Sequence, residues 1–150
     1  ANQPTFPWHM ENLRTYITAT SDFPQTATWR GAELKPYGAG AGMRGIPGDC
    51  YSPSRFVKAA YLNANYPQKD SEAENVIRMF RSLEGVVMIE GASKMGDGEF
   101  EKTIYTGCFS ARTGNYYYST YEDPSIRYVS LMDAEGASSD RLVVPEPRRS

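Results

Sequence analysis

Apolar residues fall on helical spacing in three stretches of the first half of the chain and on strand spacing in the second. Pro7 suits a first helical turn, and Met10, Leu13 and Ile17 follow at i, i+3 and i+7, so a single apolar stripe predicts a helix over 7–18. Ser52-Pro53 reads as an N-cap serine followed by proline at the first helical position. Phe56, Ala59, Ala60 and Asn63 then share one face, which predicts a helix over 53–65 that ends before Pro67. Ser71-Glu72-Ala73-Glu74 has the form of a capping box, and Val76, Ile77, Phe80 and Leu83 make an amphipathic helix over 72–84 that stops at Gly85. The stretch 19–52 is rich in Pro, Gly, Thr and Ser and keeps no period, so it is expected to be a long, mostly irregular connection.

Past Gly98 the period becomes two and the residues become β-branched and aromatic. Strands are predicted over 102–109 and 115–121, joined by a turn at Arg112-Thr113-Gly114; after a second turn at Asp123-Pro124, a third strand follows over 126–132. A polar, Pro-bearing arm is expected over 134–150. Helices followed by an antiparallel meander define an α+β chain, expected to form a single domain or half-domain over 1–150.

Composition narrows the function classes. With 40% hydrophobic and 13% aromatic residues in 150, a packed core is expected rather than disorder. The net charge of −2 comes from 16 basic and 18 acidic residues scattered along the chain, which argues against a nucleic-acid partner. No apolar run reaches membrane-spanning length and no charged region precedes an apolar one at the start, so neither a span nor a signal peptide is expected; a leader ahead of Ala1 stays open. Cys50 and Cys108 are the only thiols and lack CxxC spacing, which suggests a reducing, cytoplasmic setting. The lone His9 makes no zinc site with two distant cysteines, so neither metal nor cofactor is expected.

Four motifs carry candidate chemistry. Gly40-Ala41-Gly42-Met43-Arg44-Gly45 matches GxGxxG, but Lys35-Pro36-Tyr37-Gly38 is no apolar strand and Pro47-Gly48 prevents a helix where a dinucleotide site needs one; a tightly turned loop fits better. Arg55 sits in the first turn of a predicted helix, where a cation opposes the helix dipole at a cost of roughly 0.3–1 kcal/mol. Either it pairs with Asp49 or reaches solvent, or it serves a site. His9 lies in the first turns of its helix, where packing or capping is preferred to acid–base work. Tyr116 and Tyr118 alternate with Tyr117 along a strand, so cross-strand and core packing is preferred to a stacking platform.

Two stretches stand out as long motifs, Asn2-Gln3-Pro4-Thr5-Phe6-Pro7-Trp8-His9-Met10-Glu11-Asn12-Leu13 and Met43-Arg44-Gly45-Ile46-Pro47-Gly48-Asp49-Cys50-Tyr51-Ser52-Pro53-Ser54-Arg55-Phe56. Together they resemble the carboxyl-terminal half of the choloylglycine hydrolases, the bile salt hydrolase and penicillin V acylase family, and most of all the bifidobacterial-type bile salt hydrolases. Lys94-Met95-Gly96-Asp97-Gly98 and Tyr121-Glu122-Asp123-Pro124 extend the match. The resemblance implies part of an amino-terminal-nucleophile hydrolase αββα sandwich. It also implies a cysteine at a mature amino terminus as nucleophile, with Asn2 as the side-chain donor of the oxyanion hole and Arg55 as the arginine beside the cysteine.

That cysteine is absent from this chain. Ala1 has no side-chain nucleophile, and Cys50 and Cys108 are internal, with no free α-amine. Ala1 also stands where the family usually has threonine, as an edge of the sequence, a cleavage point or a true substitution. The implied function is therefore the carboxyl-terminal segment of a conjugated bile acid hydrolase, inactive alone and completed by an amino-terminal half that carries the nucleophile. The intact enzyme is expected to be a homo-oligomer with a small-molecule amide as substrate, a conjugated bile acid or penicillin V. The alternatives are a penicillin V acylase segment and a non-catalytic module of the same fold that binds bile acids or a protein.

Overall fold

The computed structural model describes residues 3–131 and 140–141. The chain divides into two compact units, 1–66 and 67–150.

In the first unit, α1 spans Phe6–Leu13 with Pro7 in its first turn. The helix expected to reach residue 18 instead tightens into a 3₁₀ turn at Arg14–Tyr16. The reason is local: Thr15-Tyr16-Ile17-Thr18 is a run of β-branched and aromatic residues that are restricted at χ1 in a helix. The apolar stripe read from the sequence is not the buried face either. Met10 and Ile17 are exposed, and His9 is the buried residue of α1.

The stretch 19–52 holds structure that its composition concealed. β1 (Ala27–Trp29) and β2 (Ala32–Leu34) form an antiparallel hairpin with Thr28 opposite Glu33. Its two-residue turn places Arg30 at φ 49° and Gly31 at φ 85°, the paired left-handed geometry that matches strand twist. The excursion is closed at its base by Thr20, whose N–H donates to the Gly42 carbonyl at 3.1 Å. A side chain at position 42 would collide with the Thr20 backbone, so this glycine allows the two segments to cross. The GxGxxG stretch is thus a 3₁₀ turn at Ala41–Met43; β2 ends at Leu34, well before it, and the next helix starts only at Ser52, so no strand runs into the motif and no helix opens from it. The last element of the unit is α2, Ser52–Asn65.

The second unit begins with α3, Glu72–Glu84. Ser71 Oγ accepts from the Glu74 N–H at 3.2 Å and donates to Glu74 Oε2 at 2.6 Å, so the capping box closes through the side chains. A four-stranded antiparallel sheet follows: β3 (Tyr105–Phe109), β4 (Asn115–Thr120), β5 (Arg127–Ser130) and β6 (Asp140–Arg141), in that order.

β3 starts three residues later than its sequence pattern suggested, because Thr103 is engaged elsewhere. Its N–H donates to the Met88 carbonyl and its hydroxyl accepts from the Met88 N–H, both at 2.9 Å. β4 stops one residue short of the expected end, where the Tyr121 N–H turns to the Ile104 carbonyl. The expected end of the third strand, Met132, lies outside the described residues. So does the expected arm over 134–150, apart from Asp140–Arg141, which pair as β6 rather than forming part of an unstructured tail.

Val76 and Phe80 of α3 bury against Tyr117 of β4, flanked by Cys108, Ile126 and Tyr128. Tyr116 and Tyr118 stack on each other with centroids 6.4 Å apart, as alternation along the strand requires. One carboxylate ties helix to sheet: Glu72 Oε1 accepts from Tyr117 Oη and Thr113 Oγ1, each at 2.7 Å. Burial works against charge on Glu72, but the Tyr117, Thr113 and Ser110 hydroxyls and the nearby Arg112 charge outweigh it and hold the carboxyl below its usual range.

At the Asp123-Pro124 turn, the Ser125 hydroxyl and N–H, with Arg127, bring the Asp123 carboxyl to about 2. Both groups bind protons less readily folded than unfolded, so each contributes stability at neutral pH that is lost as pH falls; for Asp123 the loss runs from about pH 4 down toward 2. Glu72→Gln should lower the melting temperature at pH 7, and the gap to the parent should narrow as the pH falls below the usual glutamate range, measured by thermal unfolding across a pH series. A difference that does not change with pH would contradict the clasp.

Candidate active site

The first turn of α2 gathers the sequence motif around Arg55. Asp49 anchors its start: Oδ1 accepts from the Tyr51 N–H at 2.9 Å and Oδ2 accepts from Ser54 Oγ at 2.9 Å. Those two bonds, the Tyr51 N–H first, hold the Asp49 carboxyl below the ordinary aspartate range. Tyr51 is the N-cap residue, and its side chain makes no capping bond.

The reading of Ser52 as the capping serine is therefore corrected. Ser52 is the first helical residue, and the neighbouring aspartate already receives the Tyr51 N–H. Its hydroxyl instead donates to the Gln3 carbonyl at 2.8 Å, a contact 49 residues back along the chain.

Arg55 is half-buried, with its backbone N–H donating to the Tyr51 carbonyl at 2.9 Å. The Asp49 pairing that its sequence position allowed does not occur, because both Asp49 oxygens serve Tyr51 and Ser54. Among the described residues the ion-paired cations are Arg14, Lys35, Arg81, Lys102 and Arg127, and Arg55 is in none of these pairs. A half-buried guanidinium thus sits in the first turn of the helix, outside every ion pair of the described residues, while the one carboxylate shown at that helix start, Asp49, is engaged by Tyr51 and Ser54.

Phe56, next along, holds α1 against α2. His9 stacks on its ring at 4.2 Å with the planes 14° apart, and Phe6 meets it edge-on at 6.1 Å. His9 is 7% exposed and its Nδ1 has no hydrogen-bond partner among the described residues. It packs, as its place in the helix suggested. Asn2, the other expected site residue, lies outside the described residues. The next residue, Gln3, is the one that Ser52 holds.

Sequence reasoning missed two contributors here, Asp49 as anchor of the helix start and Ser52 as tie to Gln3. An aspartate two residues before an N-cap was the available signal for the first. For the second there was none, since no local pattern encodes a contact across so long a separation. Among the described residues no cluster of His, Cys, Asp and Glu could hold a metal, and no helix is long and apolar enough to cross a membrane. An open groove of about 850 Å³ in the second unit, lined in part by Phe80, Tyr105, Tyr121 and Ile126, contains neither expected site residue.

The first turn of α2 thus brings Arg55 and the Ser52 tie to Gln3 into one place. The chain belongs to the linear amide C-N hydrolases, choloylglycine hydrolase family, which it matches over residues 1–143. It is 50% identical over 143 residues to a bile salt hydrolase/transferase of Bifidobacterium longum subsp. longum, covering 95% of this chain and 45% of that protein. It is 40% identical over 144 residues to a conjugated bile acid hydrolase of Lactobacillus gasseri, again covering 95% of this chain and 45% of the relative.

A mutant of the conjugated bile acid hydrolase from Clostridium perfringens superposes with a TM-score of 0.77 at 28% identity, over 95% of this chain and 44% of that one. The chain thus spans a little under half the length of the curated relatives it matches. Helices followed by an antiparallel meander are its share of the amino-terminal-nucleophile hydrolase αββα sandwich.

Phe56→Ala removes the ring that both His9 and Phe6 contact. It should cost roughly 2–4 kcal/mol of stability, read by denaturant unfolding, while Phe56→Leu should cost less than half as much. Equal losses for the two substitutions would contradict this by showing that the aliphatic bulk of leucine recovers nothing of the contact.

Proposed function

We propose that this chain is the carboxyl-terminal segment of a conjugated bile acid hydrolase, cleaving the amide bond that joins a bile acid to glycine or taurine. The observation that carries the reading is the 50% identity to a bile salt hydrolase/transferase over 95% of the chain. The half-buried Arg55, outside every ion pair of the described residues, supports it, since the reaction needs a cation near a thiolate.

In this reading a cysteine on a segment outside this chain attacks the amide carbonyl, and its own α-amine takes the thiol proton. The carbon–sulfur bond forms as the carbonyl oxygen gains negative charge. The Asn2 carboxamide donates to that oxyanion, while Arg55 stabilises the thiolate before attack. Collapse breaks the carbon–nitrogen bond and delivers the proton to the departing amine; water then hydrolyses the thioester. The residues on this chain bind and stabilise charge, and the nucleophile comes from elsewhere, so this chain alone is expected to be inactive. The same reading carries a homo-oligomer in the cytoplasm. The β1–β2 hairpin supports self-association: its strands are exposed throughout and Trp29 is 72% exposed.

The test is to fold this chain together with an amino-terminal segment of the family that begins with the nucleophilic cysteine, then assay glycocholate and penicillin V. Glycocholate hydrolysis by the complex, with none by either segment alone, is the expected result. Preference for penicillin V would make the protein a segment of a penicillin V acylase. Binding of bile acid without turnover by a folded complex would make it a non-catalytic module.

A further inference from the structure

The bond between Ser52 and Gln3 reaches beyond local folding. Ser52 and Arg55 stand three residues apart in the first turn of α2, so their side chains emerge on the same face. One of them is the candidate cation. The other donates its hydroxyl, at 2.8 Å, to the carbonyl of the residue that follows Asn2. The serine is spared from capping because Asp49 takes the Tyr51 N–H and the Ser54 hydroxyl.

Below this turn, Phe56 receives His9 at 4.2 Å and Phe6 at 6.1 Å, which pins the helix that continues from the Gln3 segment. A single helical turn therefore carries the cation at one position and grips the amide-bearing segment at another. Nothing else among the described residues makes a side-chain hydrogen bond to Gln3.

We infer that Ser52 is a positioning residue for the segment that carries the oxyanion donor: its hydroxyl holds the Gln3 carbonyl, next in sequence to Asn2, at the helical turn that bears Arg55. The inference rests on the assignment of Asn2 under the proposed function. It concerns turnover more than binding, because an oxyanion donor matters most where charge develops on the substrate carbonyl. Aim is the sensitive quantity: a misplacement of about 1 Å can cost roughly 10²-fold in rate.

The experiment is a double-mutant cycle in the intact hydrolase formed by this chain and its nucleophile-bearing segment, with glycocholate as substrate. Ser52→Ala should lower kcat on the order of tenfold with KM little changed, and Ser52→Thr, which keeps the hydroxyl, should recover most of the loss. Asn2→Ala alone should lower kcat by about 10²–10³. In the Asn2→Ala background, adding Ser52→Ala should cost less than twofold, because there is no longer a donor to aim.

Full additivity of the two losses, or an unchanged kcat in a folded Ser52→Ala enzyme, would overturn the positioning role. A fall in melting temperature alone, with kcat intact, would reduce Ser52 to a structural tie and overturn it as well. If Asn2→Ala leaves turnover untouched, it is the oxyanion assignment that fails, and that result is distinct from any outcome at Ser52.

Discussion

The ring of Phe56 is the contact on which the candidate site depends. His9 lies flat against it and Phe6 meets its edge, so α1 and the first turn of α2 share one small aromatic core. Arg55 immediately precedes this ring, Ser52 lies one turn before it, and the Asp49 carboxylate fixes the start of the turn. With the ring in place, the positions of the guanidinium and of the Gln3 carbonyl are set by helical geometry. Without it, the two ends of the motif would be joined only by the Ser52–Gln3 bond and by the long excursion closed at Thr20 and Gly42. The cost of a cation at a helix N-terminus makes sense in this setting, since a guanidinium outside every ion pair of the described residues would favour a thiolate or an oxyanion.

The second unit solves a different problem. Its sheet is held to α3 by Val76, Phe80 and Tyr117, and a single carboxylate, Glu72, orients the Tyr117 and Thr113 hydroxyls at the helix start. Burial and Glu72 together keep the Cys108 thiol above its usual range, in that order of importance. A protonated, half-buried thiol is a poor nucleophile, in keeping with the view that the chemistry needs a cysteine from outside this chain.

How much was legible in the sequence depended on whether the information was local. The capping box at Ser71 and the stripe through Val76 and Phe80 specified α3 residue by residue, and alternation along β4 separated Tyr117 from its two neighbours. The hairpin at Ala27–Leu34 was invisible because its turn is Arg30-Gly31, without the asparagine or aspartate that usually marks two left-handed residues. The α1 stripe misled for the opposite reason: its spacing was helical, but the partner waiting in space was Phe56, which selected His9. Arg55 could be noticed from its awkward place in a helix, whereas its freedom from Asp49 was decided by Tyr51 and Ser54, which only the folded turn reveals. Asn2 owed its candidacy wholly to the family match.

If the first turn of α2 presents its cation to a catalytic thiolate, the thiol itself should report it. The most direct measurement is the pH dependence of iodoacetamide alkylation of the amino-terminal cysteine in the intact hydrolase, compared between the parent and Arg55→Leu. The expected result is a thiol pKa well below the free-cysteine value of about 8.5 in the parent and a clear rise toward it in the variant. An alkylation profile that does not move when Arg55 is replaced would contradict the account.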